Sequence, residues 1–347
     1  MQRFEIYNDK GEQIKLTGQE QARANYLERE IRNNNGGLEV DVTTMTAISK
    51  SIVEQKFFTL NIADYIPIEV GNGAFSSKIT TYRSFDLGAG FSQGLINSAT
   101  KNTRLQNADV EFDSVDVAVK NWAASIDWNI FELSQASRAN NLVNLITAKE
   151  KARKRMWDLG IQELAFVGLP EYSDVKGLLT QAEVTANTSL ITKYISAMSD
   201  SEYQTFVASI IGAYRTVSEH TSMPNRLYIP EEDYNGLVTP VNTNFAIVSK
   251  LEYLEKALKA VTMKPDFKIL PLAYAMKANN SSISGLNKNR YVLMNYDPET
   301  IKMNIPVDYT NTAQNTVNGF HFENVGYGQF TGVQAYRPKE ILYFDFA

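Results

Sequence analysis

Cysteine is absent from the 347 residues, and histidine occurs only at His220 and His321. The first absence removes disulfides, thiolate nucleophiles and thiolate metal sites together. The second leaves any multi-histidine zinc site or Ser-His arrangement one of two imidazoles, and neither stands in an HExxH-like or GxSxG context. No window approaches eighteen uninterrupted apolar residues, and the opening stretch MQRFEIYNDKGEQ has no apolar run behind its early arginine. Neither a membrane span nor a secretory signal is expected, and the chain reads as soluble and unsecreted. A basic excess is missing too: 34 Lys and Arg stand against 39 Asp and Glu, a formal charge of −5. Nucleic acid, if contacted, is therefore expected to be contacted weakly. No catalytic residue, metal or cofactor is expected.

What is present is ordinary globular composition, 44% hydrophobic and 21% charged, enough for a sizeable core. Thr17-Gly-Gln-Glu20 is a capping box that opens a helix over residues 17–32, with Ala24, Leu27 and Ile31 on one face. It stops at Asn33-Asn34-Asn35-Gly36-Gly37, where glycine takes the left-handed conformation. Residues 1–40 thus read as an arm. A second helix over 45–57 carries Met45, Ile48 and Ile52 at helical spacing and leads into an apolar strand over 65–70.

From residue 71 to 109 the character changes to many Ser and Thr, few charges, and glycine at Gly71, Gly73, Gly88, Gly90 and Gly94. A loop this long is functional or disordered. We read it as an extended, twisted hairpin, with Lys78, Arg83, Lys101 and Arg104 as its cations. Residues 110–119 alternate as its returning strand, with a slip near Asp113 that reads as a bulge. Asp127 is placed to cap a short helix to Ser137, and Asn141 a helix over 142–167, about 39 Å long at 1.5 Å per residue. Leu145, Ala148, Ala152, Met156 and Leu159 are three or four apart and form its apolar face, so Ala152 and Met156 are expected to pack on a sheet. Lys149, Lys151, Arg153, Lys154 and Arg155 crowd the remainder, and Gly168 ends the helix.

Beyond residue 186, Asp200 is placed to cap a helix with Phe206, Ile210, Tyr214 and Val217 inward. A strand over 226–229 precedes a short helix opened by Pro230. The uncharged loop Thr239, Pro240, Val241, Asn242, Thr243, Asn244 comes next, followed by a helix over 249–258. Strands are expected over 267–272, 290–296 and 300–309, with a polar loop over 277–289. The last thirty residues alternate as strands over 319–327, 330–336 and 341–346. This mixed, non-alternating order is α+β and argues against a doubly wound or barrel enzyme.

Several motifs have a plain structural account. Gly88-x-Gly90-x-x-x-Gly94 and Gly326-x-Gly328-x-x-x-Gly332 place the third glycine one residue late for a dinucleotide loop and read as hairpin glycines. Glu231-Glu232-Asp233 follows Pro230 at a helix start, where the helix dipole favours acids. The run from Lys149 to Arg155 reads as a solvated helix face rather than a DNA contact.

The order of elements is more specific than any motif. The stretch from Ala148 through Gly168, then Val175-Lys-Gly-Leu-Leu179, resembles the spine helix and its exit in the major capsid proteins of tailed phages with the Hong Kong 97-type fold. Leu227-Tyr-Ile-Pro-Glu-Glu-Asp-Tyr-Asn-Gly-Leu237 is similar to that family's axial-domain strand, proline and short helix. Phe330-Thr-Gly-Val-Gln-Ala-Tyr-Arg-Pro-Lys-Glu-Ile341 is similar to its closing strand, and to the end of encapsulin shells.

The resemblance implies an arm (1–40), a first peripheral part (41–65), the hairpin (66–109), a peripheral domain with the spine helix (110–185), an axial domain (186–315) and peripheral closing strands (316–347). It implies self-assembly into hexamers and pentamers of an icosahedral shell around double-stranded DNA, in a virion built in a bacterial cytoplasm, with scaffolding, portal or decoration proteins as further partners. It places the loop from Thr239 to Asn244 at the capsomer axis. A hairpin Lys joined to a neighbour's Asn is known in that family, with Lys78 and Lys101 as the amines here. Such a bond also needs a desolvated amine beside a carboxylate, and plentiful Asn makes chance matches easy, so no cross-link is expected. An encapsulin-type nanocompartment shell shares the fold and is the alternative. A β-rich glycan-active enzyme is the alternative from another class, on Asn at 30 positions and abundant Tyr.

Overall fold

The computed structural model describes residues 6–7, 13–14, 56, 58–87, 109–138, 145–242, 245–280, 286–316 and 318–346. The chain divides into two units, Met1–Phe57 and Phe58–Ala347. In the first, β1 (Ile6–Tyr7) pairs antiparallel with β2 (Gln13–Ile14). The expected helix over 17–32 lies outside the described residues, as does that over 45–57 apart from Lys56.

The second unit begins with β3 (Ile68–Val70), β4 (Lys78–Leu87) and β5 (Asp109–Asn129), then α1 (Ile130–Arg138) and α2 (Leu145–Val167). β6 (Thr185–Asn187), α3 (Asp200–Val217), β7 (Arg226–Pro230), α4 (Glu231–Gly236), β8 (Pro240–Asn242), β9 (Phe245–Ser249) and α5 (Lys250–Thr262) follow. The chain closes with β10 (Lys268–Leu272), α6 (Lys277–Asn280), β11 (Asn289–Met294), β12 (Ile301–Ile305), β13 (Val307–Asn311), β14 (Asn315–Thr316), β15 (His321–Thr331), β16 (Val333–Ala335) and β17 (Ile341–Phe346).

One five-stranded sheet, in the order β10-β7-β11-β17-β6, separates two cores. Side chains alternate across a strand, and here both faces are apolar. Tyr228, Val292, Met294, Ile341 and Tyr343 pack with Trp157, Ile161, Leu164 and Phe166 of α2. Leu227, Ile229, Tyr291, Leu293, Leu342 and Phe344 pack with Phe206, Ile210 and Tyr214 of α3 and Leu254 and Leu258 of α5. The last strand is interior to this sheet, between β11 and β6. It pairs antiparallel with β11, Arg290 opposite Asp345, and parallel with β6. Its run Ile-Leu-Tyr-Phe-Asp-Phe has no polar face to offer solvent, so only a position covered on both sides suits it. β15 lies along β5 from Val119 opposite Thr331 to Asn129 opposite His321, and it runs on through Thr331 where a break after residue 327 was expected.

β5 corrects two expectations. Its ladder with β4 runs without a register shift from Ala118 opposite Lys78 to Asp109 opposite Leu87, so there is no bulge at Asp113. Asp127 lies inside the strand, opposite Glu323, and the helix cap falls to Asn129, whose Oδ1 accepts from the Glu132 amide at 2.7 Å. The reason is Trp128, which is buried against Phe322 with ring centroids 6.3 Å apart. A helix starting at Asp127 would carry that indole out of the sheet.

α2 corrects a third. It ends at Gly168 as expected, in the left-handed conformation at φ +80°. Its inward face, however, is Arg153, Trp157, Ile161 and Leu164, while Ala152 and Met156 are exposed and Leu145 and Leu159 half-buried. Arg153 accounts for the phase error. Its Nε donates to the Tyr309 hydroxyl at 2.7 Å, one Nη to the Asn324 carbonyl at 2.6 Å, and the other to Asn324 Oδ1 at 2.6 Å and Asn311 Oδ1 at 3.0 Å. A guanidinium so bonded is stable when buried. The glycines expected to be hairpin glycines are seats for this face: a Cβ on Gly328 would lie 2.5 Å from the Trp157 ring, and one on Gly326 2.7 Å from Arg153 Nε.

Candidate assembly surfaces

The hairpin leaves the body through Gly71 (φ +88°) and Gly73 (φ +76°), backbone conformations that favour glycine. Salt bridges lace its ladder: Lys78 to Asp116 at 2.6 Å and Arg83 to Asp113 at 3.0 Å. Hydrogen bonds from Lys78 and Thr80 hold the Asp116 carboxylate below its usual range. One face turns to the body, where Val117 is buried and Arg83 donates to the Tyr336 carbonyl at 3.3 Å. The opposite face shows Tyr82 at 74% exposure and Phe112 at 72%, with Val110 beside them. Because Phe112 is opposite Ser84 and Ser114 is opposite Tyr82, the two rings are diagonal neighbours on that face. Large apolar groups presented together mark a surface meant for a partner. Gly88, Gly90, Gly94, Lys101 and Arg104 lie outside the described residues.

On α2 the basic run is not a uniformly solvated face. Lys149 bridges to Glu132 at 2.7 Å and donates to the Asp127 carbonyl at 2.8 Å, Arg153 is buried, and Lys154 is exposed. Beside it Met156 is 59% exposed.

The segment before α3 is pinned to α4 and α5 by two buried charges that periodicity could not reveal. Asp233, the third acid after Pro230, does not face solvent. Its carboxylate accepts from the Ile195 amide at 3.0 Å, the Ser196 amide at 2.7 Å and the Tyr291 hydroxyl at 2.7 Å. Burial, then the charge of Asp233, pushes the Tyr291 phenol well above its ordinary value. The Lys250 ammonium donates to the Ser196 and Met198 carbonyls, each at 2.8 Å. An acid and a base thus hold opposite polarities of one short segment, and Glu232 alone behaves as a surface acid, accepting from the Tyr194 hydroxyl at 2.9 Å.

This frame carries the loop expected at the capsomer axis. Thr239 donates to the Gly236 carbonyl and accepts from the Lys250 amide at 2.9 Å. Pro240, Val241 and Asn242 form β8, which pairs with β9, Pro240 opposite Ser249 and Asn242 opposite Phe245; Thr243 and Asn244 lie outside the described residues. The segment read as loop and helix start is therefore partly a small hairpin, and α5 begins after Ser249, whose Oγ accepts from the Glu252 amide. α3 is capped one residue earlier than expected, by the Ser199 and Glu202 capping box. The Lys193 ammonium, then the Ser199 amide, hold the Glu202 carboxyl down at about 2. His220 and His321 are both exposed. Among the described residues no group of three His, Asp or Glu is placed to hold a metal ion.

A two-core fold with a projecting hairpin and a long helix under a β-ladder has counterparts among viral shells. The chain is similar to the capsid of Myoviridae phage XM1, at 18% identity over 90% of this chain and all of that one, with a TM-score of 0.69. It is similar to the capsid of a native GTA particle, at 9% identity over 90% and 99% of the two chains, TM-score 0.58. It is also similar to a Mycobacterium phage Bobi structure, at 10% identity over 89% and 97%, TM-score 0.56. The fold is thus the Hong Kong 97-type capsid fold that the order of elements resembled. No curated protein matches the sequence. The profile of major capsid proteins matches residues 95–346, well over half of the chain. From the hairpin to the central strand β17, this chain belongs to the major capsid protein family, the structural proteins of phage shells.

Proposed function

We propose that the chain builds an icosahedral shell of hexamers and pentamers of itself around double-stranded DNA, which its acidic surface grips weakly, within a virion assembled in a bacterial cytoplasm. Scaffolding, portal or decoration proteins are the further partners this reading allows. The observation that carries it is the hairpin, whose Tyr82 and Phe112 stand out at more than 70% exposure. Such a face contributes stability only where another copy covers it. In this reading the domain boundaries are those of the family, with the arm and hairpin lying on neighbours.

Replacing residues 88–108 by an Asn-Gly turn joins Leu87 to Asp109, which already stand opposite one another. The expected product is a folded subunit that elutes as a monomer and forms no particles in electron micrographs, while the intact chain forms shells. Normal shells from the shortened chain would exclude residues 88–108 as an assembly element, and normal shells from Tyr82→Ser with Phe112→Ser would exclude the exposed face of the ladder.

The segment from Thr239 to Asn244 carries no charge, which suits a position repeated five or six times around an axis, where like charges repel at short range. Asn242→Asp is expected to weaken capsomers at low salt and to be partly rescued at high salt through screening. Native gels at two ionic strengths read this out, and an equal effect at both would place the segment away from the axis.

A further inference from the structure

The dipeptide Asn-Gly occurs four times, at Asn35-Gly36, Asn72-Gly73, Asn235-Gly236 and Asn318-Gly319. It is open to self-modification, because the glycine amide nitrogen can close a five-membered ring on the asparagine Cγ and no Cβ stands in the way. The first pair lies outside the described residues, and the fold treats the other three differently. Gly236 ends α4 with its amide inside helical bonding, and a Cβ there would lie 2.6 Å from that of Ser196. At Asn318 the side-chain Oδ1 accepts from the Phe320 amide at 3.2 Å and the His321 amide at 2.8 Å, and the Gly319 amide donates to Thr316 Oγ1 at 2.8 Å. Nucleophile and electrophile are both engaged there.

Asn72 differs in each respect. It is exposed, in the turn between β3 and β4. The turn is fastened on either side, by the Gly71 amide on the Ile305 carbonyl at 3.0 Å and the Ser76 amide on the Gly73 carbonyl at 3.1 Å. Among the described residues nothing accepts from the Gly73 amide itself. The Asn72 carboxamide is held by Nδ2 on Glu69 Oε1 at 3.0 Å, an exposed bond of small net worth. Glycine cannot be exchanged at 73, since φ is +76° and a Cβ would lie 2.9 Å from Ile79 Cγ1.

We propose that Asn72 is a self-modifying site at the exit of the hairpin. The Gly73 nitrogen gives up its proton and attacks Cγ. An N–C bond forms, the Cγ–Nδ2 bond breaks, and ammonia leaves with the proton that the amide lost. Water then adds to either carbonyl of the resulting imide and opens it to aspartate or isoaspartate, a net gain of about 1 Da with no oxidation or reduction. Either product removes the donor that held Glu69 and sets a second carboxylate beside its 3.0 Å bridge to Lys302. Isoaspartate also lengthens the main chain by a methylene where the hairpin leaves the body.

To test this, full-length subunit is held in mildly alkaline buffer beside a sample in urea. Peptides are mapped by mass spectrometry with fragmentation that separates aspartate from isoaspartate. In the folded chain Asn72 is expected to convert at least about tenfold faster than Asn235 and Asn318, and faster as pH rises. In urea the three should convert at comparable rates. Asn72 no faster than Asn318 in the folded chain would overturn the site, and the same ranking in both solvents would overturn the fold as its cause. Asn72→Gln enlarges the ring and should abolish conversion at that position while leaving the other rates unchanged. The consequence for the hairpin rests on the shell reading: incubated parent should lose particle yield several-fold, and incubated Asn72→Gln should keep it. Full yield from converted parent would overturn that consequence. Fresh parent that forms no particles is a separate outcome, which refutes the shell reading itself.

Discussion

Asp345→Ala is expected to destabilise the unassembled subunit by about 3–5 kcal/mol, because it leaves a guanidinium buried without its counter-charge. Arg290 and Asp345 are opposite each other on β11 and β17, 8% and 1% exposed at their side chains. The pair is bidentate, Nε to Oδ1 at 2.7 Å and Nη2 to Oδ2 at 2.6 Å, a geometry that makes the strongest protein ion pairs. Lys288 adds a weaker contact at 3.3 Å. The guanidinium also donates to the Leu179 carbonyl and lies 4.2 Å from the centre of the Tyr343 ring. In the alanine variant those two contacts remain while the charge does not find a partner, so folding must carry the whole desolvation cost. Urea denaturation of the subunit measures the difference. The double variant Arg290→Met with Asp345→Leu is expected to regain most of the loss, since a packed apolar pair carries no such cost. A single variant as stable as the parent would mean that solvent reaches the pair.

Trp157→Ala is expected to cost about 3–5 kcal/mol through the cavity it leaves. The indole is 4% exposed, with ring centroids 5.3 Å from Trp122 and 6.1 Å from Phe330, and rests on the bare backbone of Gly328. Gly328→Ala approaches the same contact from the other side: the added methyl would stand 2.5 Å from the ring, and overpacking of this kind costs about 1–3 kcal/mol. Met156→Ala, one position away on the same helix but 59% exposed, should change stability by no more than about 0.5 kcal/mol. Thermal or urea unfolding of the three variants side by side decides the phase of α2. A Met156 variant more damaging than the Trp157 variant would restore the apolar face read from the sequence.

Much of the arrangement was legible before any coordinates. Glycines at Gly71, Gly73 and Gly168 marked the exits of two elements, and each adopts a positive φ there. The α3 pattern Phe206, Ile210, Tyr214 turned inward as its spacing required. Sequence reasoning missed the residues that hold the candidate surfaces in place: Asp233, Lys250, Arg153 and the Arg290–Asp345 pair. Each is a charge at a position where periodicity expects solvent. The one available signal was weak, an aspartate standing alone among apolar residues in Ile341–Phe346.

Local pattern alone determined that the order of elements is α+β, and it placed such elements as α3, β7, β10 and β17 to within a residue or so at the ends it named. Those features depend on backbone conformation and on period, which neighbours in sequence fix. Tertiary structure alone decided which face of α2 is buried and which sheet receives β17. Arg153 is buried because acceptors 156 and 171 residues away, on Tyr309 and Asn324, converge on it. β17 is central because one of its faces meets α2 and the other meets α3 and α5. Whether a polar group is buried follows from the partners that the fold brings to it, and its own hydropathy does not carry that information.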